Sequence, residues 1–105
     1  EDFIEAHSWK KLYIRTCQFL YSKHQEKFVS FINKTYMNGD VRDYFSKVTE
    51  TMIEPFKLDD NLFIETKFDA NTIRDLIVKI LKELGHNTED YSIYFRADYN
   101  PIHRL

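Results

Sequence analysis

The sequence contains few of the residues that cross-link a chain or make its loops flexible. Its 105 residues include only two Gly, two Pro and one Cys. The single Cys17 excludes an internal disulfide and is consistent with a reducing compartment. Two glycines are too few to build a glycine-rich phosphate loop, so we expect no nucleotide-triphosphate chemistry within this chain.

The sequence also lacks long apolar runs and an excess of charge of one sign. No run approaches the roughly 18 apolar residues that a transmembrane helix needs. The first five residues are mostly acidic and do not resemble a signal peptide. The 15 basic and 17 acidic side chains give a net charge of −2, too little positive charge to hold nucleic acid or an anionic membrane by overall attraction. We expect a soluble cytoplasmic protein that binds no membrane.

Core-forming side chains are abundant instead. Apolar residues make up 43% of the chain and aromatic residues 16%, which is far too much for a disordered segment. A chain of this length is expected to have one hydrophobic core, so we predict a single domain over residues 1–105. Because the sequence does not start with Met, we expect it to be a fragment or accessory module of a longer protein.

The first half of the chain has helical periodicity. Ser8 is the expected N-cap of a helix over residues 9–22, and a second helical pattern follows His24 and ends at a turn over residues 37–40. Residues 41–52 fit either a short third helix or a strand, because β-branched side chains interrupt the helical spacing. We favour the helix there.

The second half indicates a small sheet and one strong helix. Residues 53–58 and 62–68 flank a turn and predict a β-hairpin, in which Pro55 places the first strand at a sheet edge. A helix over residues 71–84 is expected, with Asp69 or Asn71 as its cap and Gly85 just beyond its end. A strand over residues 91–96 would then lie parallel to the strand that begins at Leu62, through a right-handed crossover. The fold class is therefore α+β, with an N-terminal helical pair followed by a β-β-α-β unit.

No pattern of catalytic or metal-binding residues stands out. The four His are not spaced as metal ligands, and Cys17 lies on the apolar face of the first helix, where it is expected to be buried. The acidic pair Glu65 and Asp69 is explained by ordinary solvation and helix entry. We expect no catalytic residue, no cofactor and no metal, and hence no enzymatic activity.

Two surfaces remain as functional hypotheses. The apolar face of the first helix is wider than a surface helix needs, which predicts a protein interface. Its candidate residues are Trp9, Ile14, Phe19 and Tyr21. Basic and aromatic residues near the C-terminus, with a second basic strip on the first helix, predict contacts to nucleic acid. These candidates are Arg96, Arg104, His103, Tyr94, Tyr99, Lys10, Lys11 and Arg15.

Several segments resemble a recurring bacterial module. They are residues 62–66 (LFIET), 69–73 (DANTI), 81–85 (LKELG), 92–95 (SIYF) and 8–13 (SWKKLY). The module is similar to accessory domains, often C-terminal, of bacterial restriction-type and other DNA-defence proteins. The resemblance implies a bacterial or phage cytoplasmic setting and a helper role, either recognising DNA or holding an enzyme assembly together, and it transfers no functional residue.

Our prediction is therefore a non-catalytic interaction or assembly domain whose partner is a protein or a neighbouring domain of the same polypeptide. A DNA- or RNA-binding module is the alternative. The two differ in salt dependence, because binding through phosphates weakens steeply with salt and an apolar interface hardly responds to it.

Overall fold

A computed structural model describes residues 8–87, 92–94 and 101–104, and within them it shows an α+β fold. This confirms the predicted fold class. The helices are α1 (Trp9–Lys23), α2 (Gln25–Ser30) and α3 (Ala70–Glu83). The strands are β1 (Phe45–Ser46), β2 (Pro55–Asp59), β3 (Leu62–Glu65), β4 (Ser92–Tyr94) and β5 (Pro101–Arg104).

The chain divides into two compact units. The first, which we call the α3 unit, takes its described residues from 8–16, 68–87 and the two strands β4 and β5. The second, the aromatic unit, consists of Cys17–Lys67 and contains the sheet formed by β1, β2 and β3. That residues 1–105 fold as a single domain stays a prediction.

The α3 helix has the start and the end that the sequence indicates. Asp69 is the N-cap, and its Oδ1 accepts the backbone N–H of Thr72 at 2.8 Å. At the other end Gly85 adopts a φ of 85°, its N–H donates to Lys82, and the N–H of His86 donates to Leu81. These two bonds form a Schellman motif, in which a residue with positive φ satisfies the last helical carbonyl groups.

The other helices agree with the sequence pattern in position and differ in length. α1 is capped by Ser8, whose Oγ accepts the N–H of Lys11 at 3.1 Å. α2 ends at Ser30, earlier than its pattern indicates, and two 3₁₀ turns over Phe31–Asn33 and Thr35–Met37 complete the segment.

Each unit buries its own apolar side chains. In the α3 unit the rings of Tyr13 and Phe68 meet edge to face at 6.0 Å. The fully or nearly buried side chains of α3 are Ile73, Leu76, Ile77, Ile80 and Leu81. In the aromatic unit three rings form a cluster, with Phe31 lying 5.1 Å from Phe28 and 5.3 Å from Phe45. Such ring pairs contribute about 1 kcal/mol each beyond the area that they bury.

The predicted hairpin is present, and β3 is its central strand. The order in the antiparallel sheet is β1-β3-β2, and the register pairs Phe45 and Phe56 with Ile64 from opposite sides. Pro55 therefore does lie in an edge strand, as expected. A bulge between Lys57 and Asp59 shifts the register near the turn.

Both edges of this sheet disfavour the addition of a further strand. Thr66 N–H donates to the Glu54 carbonyl at 3.0 Å, so the alternation of an antiparallel ladder turns the backbone of Pro55 and Lys57 outward. A proline without an N–H and a charged lysine disfavour strand addition there. At β1 the N–H groups of Tyr44 and Phe45 donate to Asn38 Oδ1, each at 2.9 Å.

The helix favoured for residues 41–52 is wrong. This segment contains β1 and turns, because Phe45 pairs with Ile64 of β3, which is distant in sequence, and the N–H groups of Tyr44 and Phe45 donate to the Asn38 side chain. Local helical spacing cannot compete with a strand position beside a buried β3.

The parallel pairing expected for β4 is also wrong. β4 pairs antiparallel with β5 in a two-stranded sheet of its own, with Ile93 opposite His103 and Ser92 opposite Arg104. An antiparallel partner lies only a few residues ahead in the chain, so this pairing closes a much shorter loop than a crossover would. The strand β5 was not predicted from the sequence.

Candidate functional site

The C-terminal positions predicted to contact nucleic acid lie partly in the described residues. Tyr94 is in β4, and His103 and Arg104 are in β5. The ladder places Tyr94 opposite Pro101, so these three positions share one two-stranded ribbon. Arg96 and Tyr99 lie outside the described residues.

The second basic strip lies on α1. Lys10, Lys11 and Arg15 are all exposed, and Gln18 continues the same exposed polar face. The helix therefore presents three cationic side chains within two turns, while the neighbouring Leu12 and Tyr13 are buried. Their role in binding nucleic acid stays a prediction.

The side chains predicted to form a protein interface are half-buried. Trp9, Ile14, Phe19 and Tyr21 lie between the buried stripe and the polar face of α1. Cys17 is fully buried, as expected of a small apolar side chain. The apolar face of α1 is thus wide, and its margins are within reach of solvent.

Tyr21 is held in place by two contacts within the aromatic unit. Its ring packs edge to face against Phe28 at 5.9 Å, and its hydroxyl donates a short hydrogen bond to Asp59 Oδ2. That hydrogen bond holds the pKa of Asp59 below its usual value and raises the pKa of Tyr21. The ring and the hydroxyl of Tyr21 therefore each have a partner within the aromatic unit.

An open groove of about 460 Å³ runs beside this ring. Four of its lining residues, Tyr21, Gln25, Val29 and Asn33, recur every four residues along α1, α2 and the 3₁₀ turn that follows. Glu26 and Ser30 complete the lining. The groove lining thus has helical periodicity. It combines two side chains with apolar surface, Tyr21 and Val29, which we call the floor, with four polar side chains, which we call the rim.

Exposed apolar side chains are concentrated in the aromatic unit. Among the described residues, the large apolar side chains with high exposure are Val29 (40%), Tyr36 (52%), Val41 (93%), Val48 (51%) and Ile53 (57%). All of them belong to Cys17–Lys67. Single exposed apolar residues are ordinary, and it is a contiguous apolar patch that marks an interaction site.

A buried carboxylate holds the segment that carries Val48 and Ile53. Glu65 has no exposed surface and accepts the N–H groups of Ile53 at 2.8 Å, Glu54 at 2.7 Å and Thr66 at 3.0 Å. Arg42 Nε lies 3.2 Å from its Oε2, and Arg42 Nη2 donates to the Lys67 carbonyl at 2.7 Å. A buried charge is stable only when it is paired and hydrogen-bonded to this extent.

The pKa of Glu65 reflects this environment. Burial is the largest single influence and raises the pKa, but the backbone N–H groups of Ile53, Glu54, Thr66 and Lys67 together outweigh it. The pKa is therefore lowered, and Glu65 is ionised at neutral pH. Its assignment to ordinary solvation was wrong, because strand alternation cannot show that loop N–H groups converge on one carboxylate.

Asn38 is the second side chain that fixes this segment. Its Nδ2 donates to the carbonyl groups of Phe31 at 3.0 Å and Lys34 at 2.9 Å, while its Oδ1 accepts from Tyr44 and Phe45. One amide thus joins the end of the helical segment to β1. The sequence predicts only a turn at Asn38, because the hydrogen-bond partners of its side chain lie up to seven residues away.

Two hydrogen bonds between residues close in sequence hold the loop between Asp43 and Thr51. The N–H of Asp43 donates to Thr51 Oγ1 at 3.1 Å, and the N–H of Val48 donates to Ser46 Oγ at 3.1 Å. Residues 47–51 are all exposed between these contacts. Val48 therefore lies in an exposed loop that is joined by hydrogen bonds at its two ends.

Metal-binding clusters and membrane-spanning helices are both absent from the described residues. No group of three or more His, Cys, Asp and Glu side chains in this part of the chain could hold a metal ion. Over the same residues, no helix has the length and the apolar character needed to cross a membrane.

Comparison with known proteins adds no assignment. The chain matches no protein-family model, no curated protein and no solved structure.

Proposed function

We propose that this chain is a non-catalytic interaction module that binds another protein, or another domain of the same polypeptide, through the aromatic unit. The observation that carries the proposal is the set of exposed apolar side chains from Val29 to Ile53. The proposal includes a bacterial cytoplasmic setting and the accessory role in a restriction-type or DNA-defence system that the resemblance implies.

The order of the supporting segment strengthens this proposal. Binding costs free energy when a loop must be immobilised, and a loop that is already fixed avoids that cost. Glu65 and Asn38 fix residues 38–54 from two sides, while Val41, Val48 and Ile53 remain exposed. Apolar side chains on a preorganised backbone are what a protein interface requires.

Site-specific photo-crosslinking in the source cells tests the proposal. A photoreactive residue at position 41 or 48 is expected to capture one defined protein or domain. Lys79 on α3 is an exposed control position in the other unit. A product that forms equally well from position 79, or no product from 41, 48 and 29, would reject the aromatic unit as the interface.

A nucleic-acid-binding module is the second candidate, and one observation favours it. Lys10, Lys11 and Arg15 form an exposed cationic strip on α1. If this strip binds phosphates, affinity must fall steeply between low and physiological salt, and each lysine or arginine removed must reduce the salt dependence.

Fluorescence anisotropy with duplex and single-stranded oligonucleotides tests this candidate. Lys11→Gln, Arg15→Gln and Arg104→Ala should weaken saturable binding, whereas Lys47→Gln, an exposed change in the aromatic unit, should not. The absence of binding at low salt would remove the nucleic-acid candidate and leave the protein interface.

A further inference from the structure

The groove beside Tyr21 favours ligands that donate hydrogen bonds, because the hydroxyl groups in its lining already donate their protons within the protein. The Tyr21 hydroxyl donates to Asp59, and the Ser30 hydroxyl donates to the Lys27 carbonyl at 2.5 Å. Each hydroxyl has one proton, so both oxygens can only accept a hydrogen bond from a molecule in the groove.

The remaining polar lining reinforces this preference. Among the residues that the structure describes, Glu26 is the only charged one that lines the groove, and an ionised carboxylate is an acceptor with no proton to donate. The Asp59 carboxylate, bonded to the Tyr21 hydroxyl, adds a second negative charge next to the lining. The side-chain carbonyl groups of Gln25 and Asn33 can turn toward a donor as well. The lining is therefore rich in acceptors, with negative charge from Glu26 and Asp59. Lys57, the cation that acts on Asp59, is paired with Asp60 at 3.5 Å.

The floor of the groove is apolar and partly aromatic. Val29 is 40% exposed, and the Tyr21 ring is fixed by Phe28 and Asp59. A cation over the face of a tyrosine ring is attracted by the ring, and a guanidinium group does this more often than an ammonium group. A lining that combines apolar surface with hydrogen-bond acceptors therefore fits a side chain with an apolar stem and a cationic head that has many donors.

We propose that this groove binds an arginine side chain from a segment of the partner protein, with its methylene stem on Val29 and Tyr21 and its guanidinium group between Glu26 and the rim oxygens. Arginine fits better than lysine because its planar head offers five donors to several acceptors and can stack on the ring. The inference rests on the proposed function, for which it names the chemistry of one contact. The same negative rim disfavours phosphate groups, so the groove is not a nucleic-acid site.

The test uses N-acetyl-arginine N-methylamide as a probe of the complete chain labelled with ¹⁵N. We expect saturable shifts of the backbone amide signals of residues 21–33. N-acetyl-citrulline N-methylamide has the same shape without the charge, and it should bind several-fold more weakly. Glu26→Gln should weaken binding of the arginine probe by up to about fivefold, the upper range for an exposed ion pair.

Matched variants separate the groove from a general effect of charge. Glu50→Gln removes an exposed carboxylate elsewhere in the aromatic unit and should leave the affinity unchanged. Val29→Ser should weaken the arginine and citrulline probes alike, because it removes part of the shared floor. Shifts outside residues 21–33, equal affinity for the two probes, or no effect of Glu26→Gln would overturn the inference.

Failure of this inference and failure of the proposed function have different signatures. A protein captured from positions 41 and 48, with no probe bound in the groove, would reject the arginine contact and keep the interaction module. Probe binding that depends on Glu26, without any captured protein, would keep the groove chemistry and reject the proposed interface.

Discussion

The helix α3 and the segment over residues 38–54 are stabilised by different kinds of interaction. Nearly every determinant of α3 lies within the helix or next to it: the Asp69 cap, a buried stripe at helical spacing, and Gly85 at its end. The second segment has little regular structure, and hydrogen bonds from two side chains, one within it and one in β3, hold it. Asn38 anchors its beginning and Glu65 its end. Interactions between residues close together in the chain can be predicted from the sequence, whereas those between side chains and backbone groups of different segments cannot.

The two glycines of the chain show the same contrast. Gly85 has a positive φ and open space around the position of a β-carbon, so its requirement is purely conformational. At Gly39 a β-carbon would lie 2.8 Å from the Arg42 carbonyl oxygen and 2.8 Å from Tyr44 Cε1. Gly39 is needed because the returning chain packs against it.

The largest expected effect comes from breaking the buried carboxylate. Glu65→Ala removes the acceptor of the Ile53 and Glu54 N–H groups and the partner of Arg42 Nε, and should lower the free energy of unfolding by about 3 kcal/mol. Urea denaturation measures this change. Glu50→Ala is the exposed control and should stay within about 0.5 kcal/mol of wild type. Equal stability of the two variants would show that Glu65 does not hold the segment.

The pH dependence of stability should report the same group. Because the folded-state pKa of Glu65 is lowered, its contribution is fully present above the unfolded-state pKa of about 4.3 and is lost as the pH falls through the folded-state pKa. Asp59 and Asp69 also have lowered pKa values and act in the same direction. Urea midpoints measured from neutral pH downward should fall less steeply in Glu65→Gln than in wild type. Parallel curves would contradict this assignment.

Removing the second anchor should cost somewhat less. Asn38→Ala deletes four hydrogen bonds to backbone groups of a part-buried side chain, for an expected loss of about 2 kcal/mol. Asn38→Asp keeps the acceptor for Tyr44 and Phe45 but loses both donated bonds, so it should fall between Asn38→Ala and wild type. Thermal unfolding distinguishes them, with Asn33→Ala as an exposed control. An Asp variant as unstable as the Ala variant would show that the donated bonds dominate.

The glycine pair allows a direct comparison of crowding with backbone strain. Gly39→Ala should destabilise by about 2 kcal/mol, because the methyl group must displace backbone and a ring. Gly85→Ala should cost about 1 kcal/mol, the usual penalty for a residue with a side chain at positive φ. In addition, Gly85→Asn should recover part of the loss, since asparagine tolerates this conformation, whereas Gly39→Asn should be worse than Gly39→Ala. The reverse pattern would refute the two explanations.

The smallest predicted change concerns the cap of α3. Asp69→Ala removes the acceptor for Thr72 and should cost about 1 kcal/mol, while Asp69→Ser should be nearly neutral because serine caps as well. Circular dichroism during urea unfolding follows both. A serine variant as unstable as the alanine variant would mean that the charge of Asp69, and not its capping bond, stabilises the helix.

Prediction from the sequence therefore succeeded where the determinants were close together along the chain. The α+β class, the caps Ser8 and Asp69, the end of α3 at Gly85 and the position of Pro55 at a sheet edge all follow from local residue chemistry. Tyr21, one of the predicted interface residues, lines the groove that the structure shows, and its role in an interface stays a prediction. Val41 and Val48 had been assigned to a helix, so their exposure was not foreseen.

The sequence by itself determined that α1 and α3 are helices, where α3 starts and stops, and which residues turn between β2 and β3, because caps, periodicity and turn residues act over a few positions. Only the tertiary structure decided that residues 45–46 are a strand, that β4 pairs with β5, and that Glu65 is buried as a carboxylate. These outcomes depend on groups brought together from different segments. Their pairing energy outweighs local propensity only once the chain has folded.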